Sequence, residues 1–197
     1  MTRGIFDSHA HYDAEAFDGD REELLDALPS GGVEGVICAA DSLASARRCI
    51  ALAERYPYIR AAAGIHPENA GAAREEEEEE LRLLCRRPQV VAVGEIGLDL
   101  FGDDPQFERQ QWLLDEQLKL AKRYDLPVIL HSRRTHDKLA MHLKRHDLPC
   151  TGVVHGFSGS LQQAERFVQL GYKIGVGGTI TYPRASKTRD VIAKLPL

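Results

Sequence analysis

Pro127-Val128-Ile129-Leu130-His131-Ser132-Arg133 opens as an apolar run rich in β-branched residues and ends in polar ones. Such a run, too short for a helix, reads as a buried strand over Pro127–Leu130, with His131 as the first residue to leave it. The same design recurs along the chain in Gly4–Phe6, Gly35–Cys38, Ile59–Ile65, Val90–Val93, Gly152–Val154 and Tyr172–Val176. Between these runs lie amphipathic stretches of helical length: Arg21–Leu28, Ser42–Arg55, Glu75–Arg86, Phe107–Tyr124, Thr135–His146 and Ser160–Leu170. Strand and helix in alternation predict a parallel sheet covered by helices, the α/β class. Seven such strands, each followed at its carboxyl end by polar residues, point to a TIM-barrel-type fold rather than an open sheet.

The polar residues at those ends form a short set: His9 and His11 after the first strand, His66 after the third, Glu95 after the fourth, His131 after the fifth and His155 after the sixth. In an extended chain, side chains two apart point the same way, so His9-Ala10-His11 can grip one cation between two imidazoles. Two divalent cations about 3.5 to 4 Å apart need a bridging carboxylate, and together they can polarise a phosphoryl oxygen. Glu95 is the candidate bridge. Without metal, a buried Glu95 would need a cationic partner, which Arg133 could supply.

Other features carry less. His136, His142 and His146 fall in the helix after the fifth strand and read as surface residues, since the His142–His146 pair lacks the Glu of a helical zinc protease motif. Cys38, Cys49, Cys85 and Cys150 show no Cys-x-x-Cys spacing and read as small buried apolar residues. The acidic run Glu75–Glu80 suits a solvated helix start. Asp103-Asp104-Pro105 reads as a loop that places Pro at an early helical position. The Lys119–Arg145 segment holds more base than acid, and Arg133-Arg134 follow His131, where arginine suits a phosphate. Gly156-Phe157-Ser158-Gly159-Ser160 opens a helix whose free N–H groups could meet an anion, while Gly175–Thr179 shapes the end of the seventh strand.

In bulk, 197 residues with 43% hydrophobic and 28% charged content fit one globular domain spanning 1–197. The first residues hold no signal-like apolar run and no segment is long enough to span a bilayer, so the chain reads as soluble and cytoplasmic, without a membrane partner. The net charge of −5 is uneven: residues 1–98 hold ten arginines, no lysine and 19 acids, whereas 99–197 hold 15 basic and 11 acidic residues. Compositional drift or a join of two related parents near Gly94–Asp99 would both produce this.

The motifs Asp7-Ser8-His9-Ala10-His11, Gly64-Ile65-His66-Pro67, Gly94-Glu95-Ile96-Gly97-Leu98-Asp99, Pro127–Arg133 and His155–Ser160 jointly resemble the TatD family of metal-dependent hydrolases. From Gly94 onward the chain looks close to one enterobacterial branch, and its earlier part looks like a more distant relative. The resemblance implies one metal on His9, His11 and Glu95 and a second on Glu95, His131 and His155, with Glu95 and Arg133 as catalytic groups. It implies substrate contacts at His66, Arg133 and Ser158, although Glu68 stands where the family carries a second His. It also implies an eighth strand with an Asp ligand beyond Leu197, so that this chain covers about seven of eight βα units. Open edges on the first and seventh strands would then invite self-association.

The implied activity is divalent-metal hydrolysis of phosphodiesters, as a 3′ to 5′ DNA exonuclease using Mg, Mn or Zn. Two alternatives stay open at this point. One is a metallohydrolase of a small ester, an amide or an aminoacyl-tRNA ester. The other is a catalytically impaired fragment that only binds metal or acts as a folding module.

Overall fold

Each apolar run becomes a parallel strand, and the strands pair in the order in which the chain makes them. In the computed structural model, which describes residues 4–196, these are β1 (Ile5–Ala10), β2 (Val33–Ala39), β3 (Ile59–Ala63), β4 (Val90–Asp99), β5 (Val128–Arg133), β6 (Gly152–Val154) and β7 (Lys173–Ile174). Met1–Arg3, part of the segment read for a signal, and Leu197, where the chain was read as stopping short, lie outside the described residues. The crossover helices are α1 (Arg21–Ala27), α2 (Leu43–Arg55), α3 (Glu75–Leu84), α4 (Phe107–Arg123), α5 (His136–His146) and α6 (Leu161–Gln169), and α7 (Ser186–Ala193) follows β7. A right-handed crossover returns the chain to the same edge each time, so every strand's carboxyl end emerges on one side. Among the described residues β1 and β7 are not paired with each other, and the sheet is a curled arc rather than a closed ring.

The core fills from both layers. Leu25, Val36, Ile59, Ile96, Leu98, Leu130, Leu114, Leu118 and Phe167 are fully buried, each worth about 1.5–3 kcal/mol of apolar burial. Helix starts follow their capping chemistry. Ser42 Oγ accepts the Ser45 N–H at the head of α2. Ser160 and Gln163 exchange a reciprocal pair of bonds at the head of α6, satisfying two otherwise orphan donors.

Several boundaries differ from the sequence reading. β4 runs ten residues, so Glu95 lies inside the strand rather than after it, because Ile96–Asp99 continue to pair with Leu130–Arg133 beyond a register shift. His9 and His131 likewise sit inside β1 and β5. Pro105 precedes α4 instead of entering it, with Gln106 at φ 50° between them. Cys38, Cys49 and Cys85 are buried as expected, but Cys150 is exposed, in the loop before β6. The acidic run does begin α3, yet Glu80 reaches Arg47 of α2 and Glu79 reaches Arg82, so it is partly paired rather than simply solvated.

Candidate metal centre

Glu95 is only 2% exposed, and its carboxylate faces five imidazoles delivered by four segments. His9 Nε2 lies 2.8 Å from Oε2 and His11 Nε2 3.3 Å from the same oxygen. On the other side, His131 Nδ1 and His155 Nε2 each lie 3.2 Å from Oε1, and His66 Nε2 lies 3.8 Å away. The rings of His9 and His155 stack at 3.6 Å between centroids. Among the described residues no lysine or arginine pairs with Glu95. Arg133 is exposed and its guanidinium sits 3.6 Å from the centre of the Phe101 ring, so the Glu95–Arg133 pair that a metal-free Glu95 would require is absent.

Neighbours fix which nitrogen each ring offers. His11 Nδ1 lies 2.8 Å from the Ala39 carbonyl, to which it donates, leaving Nε2 free for a cation. His131 is clamped between two carboxylates: Nε2 lies 2.7 Å from Asp99 Oδ2 while Nδ1 turns to Glu95. A carboxylate behind an imidazole is the usual means of orienting a metal-ligating histidine. His66 is different, since its Nδ1 accepts the Glu68 N–H at 3.2 Å. In a neutral ring Nε2 then carries the proton, which makes His66 a hydrogen-bond donor toward the site.

The loop after β1 is also anchored. Asp13, buried, accepts from Ser45 Oγ at 2.6 Å and lies 3.3 Å from Arg48 Nη2, tying the residues next to His11 onto α2. Gly97 permits the β4–β5 approach, since a Cβ there would sit 1.9 Å from the His131 carbonyl oxygen and φ is +150°.

The electrostatics fit a cation. Burial pushes the Glu95 carboxyl up, but hydrogen bonds from His11, His131, His155 and His9 outweigh it and hold the group far below the usual carboxylate range. The bond to Glu95 raises His11 to about 9 despite burial. Burial lowers His131, but Glu95 and Asp99 overcome that and raise it, whereas burial lowers His66. Protons on the imidazoles are thus what neutralises Glu95, and a divalent cation can take their place with the same donors. The ligand atoms of His9, His11 and Glu95 fall within 4.8 Å of one another, as do those of His66, Glu95 and His131, with Glu95 common to both sets.

The strand-end residues of the sequence reading, His9, His11, His66, Glu95, His131 and His155, are brought together. Ser158 is not; it is exposed and lines a neighbouring groove. The N–H of Phe157, read as free, donates to the Gly175 carbonyl. Asp99 was missed as a site residue, although its place four residues after Glu95 on one strand was visible in the Gly94–Asp99 motif. His136 and His142 are buried rather than on the surface, and His146 is half-buried. For His142 and His146 the reason is Asp115 of α4, which takes His142 Nδ1 at 2.8 Å, His146 Nε2 at 2.7 Å and Arg145 Nη2 at 2.6 Å, whereas the His136 ring packs against Phe157 and Phe167.

A family model described as TatD related DNase matches residues 6–197. The chain is 71% identical to the uncharacterized metal-dependent hydrolase YjjV of Escherichia coli K12, over all of this chain and 77% of that one. It is 32% identical to the 3′-5′ ssDNA/RNA exonuclease TatD of a Pantoea species, over 98% of this chain and 75% of that protein. Among solved structures, E. coli YjjV superposes with a TM-score of 0.94 at 68% identity, covering all of this chain and 76% of that one. A TatD-family hydrolase of Entamoeba histolytica shares the fold at a TM-score of 0.86 and 24% identity, covering all of this chain and 71% of its own. The architecture is therefore of the TIM-barrel metallohydrolase type, and no helix among the described residues is long and apolar enough to cross a membrane. With family model, relatives and structural neighbours in agreement, the chain belongs to the TatD family of metal-dependent hydrolases.

Proposed function

We propose that the chain hydrolyses phosphodiester bonds of single-stranded nucleic acid in a divalent-metal-dependent reaction, as a 3′ to 5′ exonuclease. The observation that carries this reading is Glu95, buried and ringed by imidazoles with no lysine or arginine partner among the described residues. Structural buried carboxylates are normally paired with a lysine or arginine, so this donor set is better suited to cations. His9, His11 and Glu95 would hold one cation, and Glu95, His131 and His155 a second, with Glu95 as the bridge. Bound there, Mg, Mn or Zn supplies Lewis-acid stabilisation of charge developing on the phosphoryl oxygens.

The chain's own residues do the rest. Asp99 holds the His131 ring so that Nδ1 faces inward. The His66 Nε2–H is a donor on the Oε1 side of Glu95, where a phosphoryl oxygen can accept it. Arg133, held against Phe101 at the mouth, offers its fork to a flanking phosphate. That a relative at 32% identity is named a 3′-5′ ssDNA/RNA exonuclease supports nucleic acid as the substrate class.

The test is turnover of a fluorescent single-stranded oligonucleotide and of bis(p-nitrophenyl) phosphate with Mg²⁺, Mn²⁺ or Zn²⁺, comparing the parent with Glu95→Gln. Metal-dependent cleavage from the 3′ end, reduced to background in the variant, is expected. Cleavage that survives Glu95→Gln, or a panel in which only carboxylic esters or amides are turned over, overturns the reading.

A further inference from the structure

Beside the Glu95 cluster lies a second feature that the chemistry above does not use. A groove of about 940 Å³ opens between the first turns of α5, α6 and α7. The segments leaving the cluster run straight into it: Arg134 stands three residues past His131, and Ser158 three past His155. Three cationic side chains line it, Arg134, Lys138 and Lys187, against one acid, Asp137. All three cations are exposed, and the pairs within 4.0 Å among the described residues include none of them.

Two further observations mark it as more than a basic surface. His136, 8% exposed, lines the groove, and its Nε2 has no hydrogen-bond partner among the described residues. A buried ring nitrogen without a partner is costly unless something supplies one. The walls also hold apolar surface: Leu100, Phe107 and Met141 share the groove with the cations, and Met141 is 55% exposed. A free phosphate needs no apolar wall. A single strand does, because its phosphates follow cations while its unpaired bases lie on apolar or aromatic groups.

We infer that this groove between α5, α6 and α7 seats a single-stranded segment of nucleic acid beside the Glu95 cluster, with Arg134, Lys138 and Lys187 on its phosphates. The inference rests on the phosphodiester reading for its choice of strand over other polyanions. In it, Ser158 contacts the strand rather than the reacting phosphate.

The experiment is binding, not turnover, so that it stands apart from the catalytic reading. A fluorescein-labelled oligo(dT) of roughly twelve nucleotides is titrated by fluorescence anisotropy with the 197-residue chain in EDTA, at about 50 and 200 mM salt. The comparison is parent, Lys138→Glu/Lys187→Glu, and the control Lys119→Glu, whose lysine lies on α4 and pairs with Glu116. The double variant is expected to bind about tenfold or more weakly and to lose roughly 1.4 from the log–log salt slope, at ~0.7 per phosphate contact on single strands. Lys119→Glu is expected to match the parent, and thymidine monophosphate to compete far less well than the unlabelled oligonucleotide. Three results each overturn the inference: a parent that does not bind, a double variant that binds like the parent, or a mononucleotide that competes as well as the strand. Oligonucleotide binding with no metal-dependent cleavage would instead leave the groove standing and remove the nuclease reading.

Discussion

Protons and cations compete for the same imidazoles, and that competition has a measurable size. The hydrogen bond to Glu95 holds His11 protonated up to about 9 in the ion-free site. A cation taken by the His11 Nε2 must displace that proton, because Nδ1 is committed to the Ala39 carbonyl. At pH 7 the gap is about two units, which would weaken loading by roughly a hundredfold relative to a free ring. The His11 side chain is 40% exposed, so solvent screening reduces the effect, to somewhere between about ten- and a hundredfold. The apparent Mn²⁺ affinity should therefore climb by close to one log unit per pH unit between about pH 6.5 and 8.5, with about one proton released per cation. Isothermal titration calorimetry in buffers of different ionisation enthalpy reads both quantities. The sign for the metal-free fold is the reverse: a raised folded value stabilises below the unfolded 6.5 and fades as pH passes about 9. So in EDTA, raising the pH should weaken the fold over the range in which it strengthens metal binding. A Mn²⁺ affinity that is flat across this range, with no proton release, would refute the placement of a cation at His11 Nε2.

Three other outcomes follow from the geometry. Asp99→Asn removes the carboxylate behind His131 and should weaken Mn²⁺ binding by about 10- to 100-fold without changing the circular dichroism spectrum; unchanged affinity would make Asp99 a bystander. Asp115→Ala leaves His142, Arg145 and His146 without their shared acceptor, costing about 1–3 kcal/mol and lowering Tm by roughly 2–4 °C for each kcal/mol. Burial raises Asp115, but those three partners overcome it and bring it to about 2. Its contribution is therefore complete above about pH 4 and lost towards pH 2, and urea melts of parent and variant should converge as the pH falls through that window. Gly97→Ala drives a Cβ into the His131 carbonyl at a backbone angle that L side chains rarely adopt; it should lower both Tm and metal affinity, and a parent-like Tm would contradict the β4–β5 register.

The alternation of apolar runs and amphipathic helices was enough to place seven strands in order, because a parallel sheet needs exactly that rhythm and its crossovers leave little topological choice. The convergence of the histidines was legible for the same reason. If every strand leaves the core on one side, polar residues at the carboxyl ends become neighbours whatever separates them in sequence. Which residues count as the end was read less well. Val90–Val93 stops being apolar at Gly94, yet the strand goes on to Asp99, since pairing with β5 and not hydrophobicity sets its length.

What stayed hidden depends on partners that lie in other elements. His142 and His146 have a recognisable spacing, but nothing in α5 announces that Asp115, on α4, draws both rings inward. The tautomers of His11 and His66 are set by the Ala39 carbonyl and the Glu68 amide, backbone groups that every residue carries and no motif reveals. These same contacts separate two roles that look identical in sequence. His11, its Nδ1 spent on the Ala39 carbonyl, can yield its Nε2 proton to a cation, whereas His66, its Nδ1 accepting the Glu68 N–H, keeps a proton on Nε2, so that of two histidines at strand ends the first suits a cation and the second a phosphoryl oxygen.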